Sequence, residues 1–431
     1  MMSQFVTFFG ASSRPRRFAF FEMWPAQPSA PPSFEGMPAV TAHAPTTRDD
    51  YLAMVAGAIV DAGKRLPRPR RATGLESSPS SLTSPPPAFE PRSWRVYAVS
   101  DLHADMPTNM RWVESLPSFP PRSALIVAGD VATANAVTKK ALLELKGKFE
   151  EVFWCFGNHE LWLPAAPNDA TNDGYPDDSL GKLMSLIDLC RECGVRVGPT
   201  TLPGTPGTSS GAVVSKLSAA KSDVVVVPVL GWYADAFAKQ NAAYTEYTEL
   251  ERDFDAGCKW PACVGTPGRP RDSHADGIAA FFRDVNAAVW ADSSCRVPSV
   301  TERENAETLA PDVVTFSHFV PLARVYLGTS RMARVMGSET IGAQALGLGS
   351  TIHAFGHSHV NADDVVDVSD CLRLATPRGS RGDTAKPAVR VFCRFVQNAL
   401  GYPHERWGNG GAPKRLWPRD VPESEGGCAT S

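Results

Sequence analysis

Short apolar runs rich in β-branched and aromatic residues recur through most of the chain after residue 94. They occupy residues 95–100, 124–128, 152–156, 223–230, 312–316 and 351–355. Helical patterns, such as those at residues 109–116 and 138–145, separate several of the runs, which predicts an α/β layered domain. Near the end, residues 365–376 and 388–398 have no helical stretch between them and predict an antiparallel strand pair.

Five of these runs are followed directly by Asp, Asn or His side chains. The residues are Asp101 and His103, Asp130, Asn158 and His159, His318, and His357 with His359. One histidine after a strand is usually a loop or core residue whose hydrogen bonds are satisfied by its neighbours. Five such clusters in one chain are unlikely to arise by chance. Three clusters are introduced by glycine, which lets the backbone turn sharply out of a sheet. Because open α/β sheets bind ligands at strand ends, we expect these side chains to converge on one sheet edge.

The chemistry of these side chains predicts a metal site. Even seven of these eight oxygen and imidazole donors exceed what one tetrahedral zinc uses, and no thiolate is among them. Two divalent cations that share a bridging carboxylate account for the number. Such pairs lie roughly 3.5–4 Å apart and promote in-line displacement at phosphorus, so the donor set predicts metal-assisted ester hydrolysis. The identity of the metal stays open between Mn, Fe, Zn and Mg.

The succession DLH, GD, GNHE, SH and GHSH resembles the calcineurin-like metallophosphoesterase superfamily. The family pattern runs D-x-H, G-D, G-N-H-[DE], H and G-H-x-H in that order, and the resemblance covers about residues 96–401. It implies a fold of two packed mixed β-sheets flanked by helices, a four-layer sandwich with the site at strand ends. The fold class expected is therefore α/β.

The resemblance also implies a role for each residue. Three residues would bind each metal, Asp101, His103 and His359 at one and Asn158, His318 and His357 at the other. Asp130 would bridge the two metals, and His159 would approach the leaving-group oxygen as general acid or charge stabiliser. The implied reaction is hydrolysis of a small phosphomonoester or phosphodiester by a metal-bridging hydroxide.

Differences from the motifs of better-known branches of this superfamily narrow the range of expected substrates and metals. The second motif continues as Gly129-Asp130-Val131-Ala132-Thr133 and lacks the arginine of protein serine/threonine phosphatases, which disfavours a phosphoprotein substrate. Thr133 stands where purple acid phosphatases place a tyrosine, so a ferric site is not expected. Two alternatives remain open: a non-catalytic scaffold, which the complete set of ligands disfavours, and a metal-dependent nuclease.

Charge and composition limit the partners. Lys plus Arg total 43 against 46 Asp plus Glu, a formal net charge of −3, so no broad cationic field disposes the chain to bind nucleic acid or anionic membranes. A small phosphoester is the expected partner, and protein partners are left open. Nine cysteines without regular spacing indicate a reducing compartment. Cytoplasmic localisation is expected, with an organelle as the alternative because Arg14, Arg16 and Arg17 precede the first acidic residue, Glu22.

Composition also divides the chain into segments. Residues 1–93 form a Pro- and Ser-rich arm that is expected to be mostly disordered, except for one helix near residues 47–66. Residues 94–405 form the metallophosphoesterase domain, with flexible insertions near residues 199–221 and 256–310. Residues 406–431 form a C-terminal tail.

Overall fold

The computed structural model describes residues 45–69, 94–163, 178–204, 223–239, 249–265, 274–292, 297, 311–371, 391–405 and 411–418. The predicted disorder of residues 1–44 and 70–93 falls outside this set. So do residues 205–222, much of the predicted insertion 256–310 and most of the predicted tail.

A four-stranded sheet, sheet 1, contains the first three predicted runs. Its parallel strands are β1 (Arg95–Val99), β2 (Ser123–Ala128) and β3 (Glu151–Cys155). Helices α2 (Pro107–Ser115) and α3 (Asn135–Lys146) connect them. The strand Lys414–Trp417 pairs antiparallel with β1, so sheet 1 extends beyond residue 405, the boundary drawn from the sequence.

A six-stranded sheet, sheet 2, contains the later runs. Its strands are β4 (Thr200–Leu202), β5 (Val224–Pro228), β6 (Asp312–Phe316), β7 (Ile352–Phe355), β8 (Ala362–Asp367) and β9 (Phe392–Gln397). The order is β4-β5-β6-β7-β9-β8, in which the inner strands are parallel and both edge strands are antiparallel. The predicted antiparallel pair near the end of the chain is confirmed as β8 and β9. The strand Lys414–Trp417 of sheet 1 is labelled β10.

The two sheets face each other, with β2 against β7 and β3 against β5. Every residue of β2, β3 and β5 is buried, which explains why these runs are apolar throughout instead of alternating. Helices flank the pair of sheets: α4 (Asn158–Leu161), α5 (Ser179–Cys193), α6 (Asp235–Ala238), α7 (Glu249–Ala256), α8 (His274–Ala291) and α9 (Glu339–Gly347). The predicted α/β fold of two mixed sheets flanked by helices is thereby confirmed.

Helix α1 (Arg48–Arg65) lies within the predicted 47–66 and packs on the body of the fold. Thr47 caps its start through a reciprocal hydrogen bond with Asp50. The helix contacts α5 and α8, and an ion pair of 2.7 Å joins Arg48 to Asp284. No helix of the described segments is long and apolar enough to span a bilayer.

Replacing Ile59 by Ala tests whether α1 belongs to the cooperative core. The Ile59 side chain is 1% exposed, so we expect the free energy of unfolding to fall by about 2–5 kcal/mol. Denaturant unfolding measures the change. Leu143→Ala is the control, because Leu143 is 48% exposed and should change stability by less than about 0.5 kcal/mol. If Ile59→Ala lowered the free energy of unfolding as little as Leu143→Ala does, α1 would not be part of the core.

Candidate metal centre

The structure brings all eight predicted site residues together, and it draws them from both sheets. In sheet 1, β1 leads to Asp101 and His103, β2 to Asp130, and β3 to Asn158 and His159. In sheet 2, β6 leads to His318, and β7 leads to His357 and His359. The expectation of one sheet edge is therefore wrong, because apolar runs do not reveal which of two sheets each strand joins. His159 and His359 are partly exposed, and the other six are buried, so the site opens to solvent beside these two histidines.

The first group of donors consists of Asp101, His103 and His359. One donor atom from each lies within 4.8 Å of the others. The Nε2 atoms of His103 and His359 are 3.1 Å apart, and His359 Nε2 is 3.4 Å from Asp101 Oδ1. These atoms are close enough to bind one cation.

The second group consists of Asp130, Asn158, His318 and His357. His318 Nε2 lies 3.0 Å from His357 Nδ1, 3.1 Å from Asn158 Oδ1 and 3.4 Å from Asp130 Oδ2. Asp130 also forms a close group with His103 and His159, so its carboxylate lies between the two groups. This is where a bridging ligand would have to be.

Hydrogen bonds on the outer side of two imidazoles decide which nitrogen atoms face inward without a proton. His318 Nδ1 donates to the carbonyl oxygen of Ala128 at 3.0 Å, and His357 Nε2 donates to that of Val335 at 2.9 Å. Burial lowers the pKa of both histidines, so each stays neutral. Their inner nitrogens therefore act as acceptors, and they face the acceptor atoms Asn158 Oδ1 and Asp130 Oδ2. A cation between them would make this arrangement favourable, so a mixed nitrogen and oxygen metal site fits these residues.

The charges of the first group also favour a cation. Burial acts to raise the pKa of Asp101, but His359 outweighs it and the net shift is downward. Burial acts to lower the pKa of His359, but Asp101 and Glu405 raise it to about 10. The acids around His359 thus favour positive charge at this position.

Backbone conformation aims the donors. Five of them have positive φ: Asp101 (52°), His103 (42°), Asp130 (53°), His357 (75°) and His359 (55°). Left-handed backbone costs roughly 1–3 kcal/mol for a residue other than glycine and is concentrated at functional sites. Gly129 also has positive φ (81°), and a Cβ atom there would overlap His318. A Cβ atom at Gly157 would overlap Asp130, so the absent side chains make room for the donors.

Glu160 binds main-chain groups of the ligand loops. Its carboxylate accepts hydrogen bonds from the amides of Gly157 (2.7 Å), Asp130 (3.0 Å) and Val131. Glu160 thereby holds the loops after β2 and β3 together. Burial raises the pKa of Glu160 to about 7 against the effect of these hydrogen bonds.

His159 lies beside the first group without an outer carbonyl partner like those of His318 and His357. Its Nδ1 atom is 3.2 Å from Thr133 Oγ1, and its Nε2 atom is 3.4 Å from the Tyr402 hydroxyl and 3.9 Å from Asp130 Oδ2. The Trp162 ring packs on it with a centroid distance of 4.1 Å. Burial, followed by the neighbouring histidines, lowers its pKa well below the usual value.

Two further residues reach the donors from the segment after β9. Tyr402 stacks on His103 with a centroid distance of 4.3 Å, and Glu405 Oε2 lies 2.7 Å from His359 Nδ1. The motifs in the sequence did not point to Glu405, because an acid in a short turn has no motif around it.

Polar and aromatic residues outside the eight have structural contacts. Trp232 and Tyr233 are buried and pack against Phe319, while Asp235 pairs with Arg334 at 2.7 Å. His353 is hydrogen bonded inside the core to the hydroxyls of Thr315 and Ser317, which is a structural role.

Comparisons with known proteins found similarities in sequence and in structure. The family model for the calcineurin-like phosphoesterase matches residues 95–207. The chain is 37% identical over 108 residues to the [acyl-carrier-protein] phosphodiesterase PptH of Mycobacterium tuberculosis, a match that spans 25% of this chain and 30% of that relative. The crystal structure of phosphopantetheinyl hydrolase (PptH) from the same organism covers 76% of this chain and 98% of its own, at 19% identity and a TM-score of 0.46. Residues 95–207 therefore match a calcineurin-like phosphoesterase domain, which confirms the resemblance of the motifs in this part of the chain.

Proposed function

We propose that the protein is a metal-dependent hydrolase of phosphate esters that uses two divalent cations. The observation that carries the proposal is the set of inward-facing acceptor atoms around His318 Nε2, which a cation between them would bind. A second cation belongs with Asp101, His103 and His359, whose donor atoms form their own close group. Asp130 would bridge the two.

The cations would neutralise charge at phosphorus and would lower the pKa of a bound water molecule toward neutral pH. The remaining chemistry falls to the protein. His159 lies at the open side of the site, where the negative charge of a bound phosphate ester would oppose the burial that lowers the pKa of its imidazole. The ring would then take up a proton and pass it to the leaving oxygen. Thr133 and the Tyr402 hydroxyl flank its two nitrogens and orient the ring.

A phosphodiester is the substrate class we favour. The relative of the chain is named a phosphodiesterase of acyl carrier protein, and the match to it spans under a third of its length. The net charge of −3 gives no general support for binding a nucleic-acid backbone, so the nuclease alternative ranks lower. The complete donor set argues against a scaffold without activity.

Substrate class can be tested with the purified protein and added Mn²⁺. We expect faster hydrolysis of bis-para-nitrophenyl phosphate than of para-nitrophenyl phosphate, measured by nitrophenolate release. Acyl carrier protein bearing its phosphopantetheinyl group is the second substrate to test, with loss of the group followed by mass spectrometry. Cleavage of DNA without turnover of either small ester would favour the nuclease instead.

Asp130→Asn tests the bridging role. The change keeps the shape of the side chain but removes the charge that both cations would share, so we expect loss of bound metal. Activity should fall at least about 100-fold, because the cations supply several kcal/mol of transition-state stabilisation. Metal analysis and ester hydrolysis measure the two effects. Asp49→Asn, the same change at an exposed position of α1, should behave as wild type. Full metal content and activity in Asp130→Asn would contradict the bridge.

His159→Ala separates a proton donor from a metal ligand. We expect the variant to retain its metal while kcat falls by about 10²–10⁴, the usual contribution of general acid catalysis. The loss should be greater for an alkyl ester than for a nitrophenyl ester, because nitrophenolate leaves without a proton. Metal analysis checks the first expectation, and a series of leaving groups checks the second. Loss of one ion would identify His159 as a ligand.

A further inference from the structure

The segment of residues 400–405, here called the C-terminal loop, is fixed to the end of β1. The amide of Leu400 donates to the carbonyl of Ser100 at 2.9 Å, and that of Gly401 donates to Asp101 at 3.0 Å. The buried side chain of Asn109 donates to the carbonyls of Leu102 and Gly401 at 2.7 and 2.9 Å. The loop is therefore held beside the first group of donors by main-chain contacts.

One oxygen atom of Glu405 has two partners at this site. Oε2 accepts from His359 Nδ1 at 2.7 Å and from the amide of Tyr402 at 2.8 Å. The Tyr402 ring stacks on His103 with a centroid distance of 4.3 Å and an angle of 18° between the ring planes. Glu405 thus contacts His359 directly and His103 through Tyr402.

We propose that Glu405 is a positioning residue for the cation bound by Asp101, His103 and His359. By accepting the proton of His359 Nδ1, its carboxylate fixes the tautomer that presents an unprotonated Nε2 toward that cation. The proposal rests on the metal centre put forward above and adds to it a residue that positions one of the metal ligands.

The partner of His359 differs from those of the other group. His318 and His357 donate to neutral main-chain carbonyls, whereas His359 donates to a carboxylate on a partly exposed side chain. A charged partner raises the basicity of the imidazole, so the first cation gains affinity from a side chain that substitution can remove. The two cations should consequently respond differently to changes at Glu405.

Titration of wild type and Glu405→Ala with Mn²⁺, followed by calorimetry and electron paramagnetic resonance, tests this difference. We expect two ions in wild type and a loss of about 10–100-fold in affinity for one of them in Glu405→Ala. Glu405→Gln should lose less, because its amide oxygen can still accept the hydrogen bond. Glu114→Ala is the matched control, since the side chains of Glu114 and Glu405 are 39% and 38% exposed. It should bind both ions as wild type does.

A double substitution tests whether Glu405 acts through His359. If it does, His359→Ala/Glu405→Ala should bind Mn²⁺ no more weakly than His359→Ala alone. Additive losses would assign Glu405 an effect independent of His359 and overturn the proposal. Unchanged affinity for both ions in Glu405→Ala would also overturn it while leaving the metal centre intact. Wild-type protein that binds no Mn²⁺ would instead contradict the metal centre, and the role of Glu405 with it.

Discussion

The convergence of unprotonated acceptor atoms between the two sheets is the constraint on which the rest of the site depends. His318 and His357 each donate the one N–H of the neutral imidazole to a main-chain carbonyl. Their inner nitrogens therefore have no proton to donate to each other or to Asn158. Buried polar atoms without a compensating partner are costly, and burial also raises the pKa of Asp130 well above its usual value. A divalent cation at this position would remove both penalties, and its binding would then be coupled to the stability of this region.

The fold holds these donors in a backbone conformation that is locally unfavourable. Five of them adopt left-handed backbone, and Asp and His are among the residue types that tolerate it best. Each follows or lies near the end of a buried strand, and the fully buried runs of β2 and β3 resist the rearrangement that would relieve the strain. Glu160 adds to this resistance by binding the amides of both neighbouring loops. Rigid strands thus hold strained ends in place.

Much of this arrangement could be predicted from the sequence because local signals mark it. The six apolar runs predicted their strands within two residues, and motif order predicted which eight residues lie close together. The predicted strand at residues 365–376 was displaced, since β8 ends at Asp367, and β4 and β10 had no predicted run. Other features depend on contacts distant in sequence. No local pattern shows that Asp130 and His318 belong to different sheets or that Lys414–Trp417 pairs with β1. Glu405 could not be predicted for the same reason. Its partner His359 is 46 residues away, and the two meet only in the folded chain.

Each cation in the proposed centre would take ligands from both sheets. Asp101 and His103 follow a strand of sheet 1 while His359 follows one of sheet 2, and the Asp130 and His318 group is divided in the same way. The ions would therefore cross-link the sheets, in addition to any role at phosphorus. The C-terminal loop makes a similar connection, since it leaves β9 in sheet 2, crosses the end of β1 and leads to β10 in sheet 1. Glu405 lies on this crossing, so one carboxylate contacts a ligand of sheet 2 from a loop that is fixed to sheet 1.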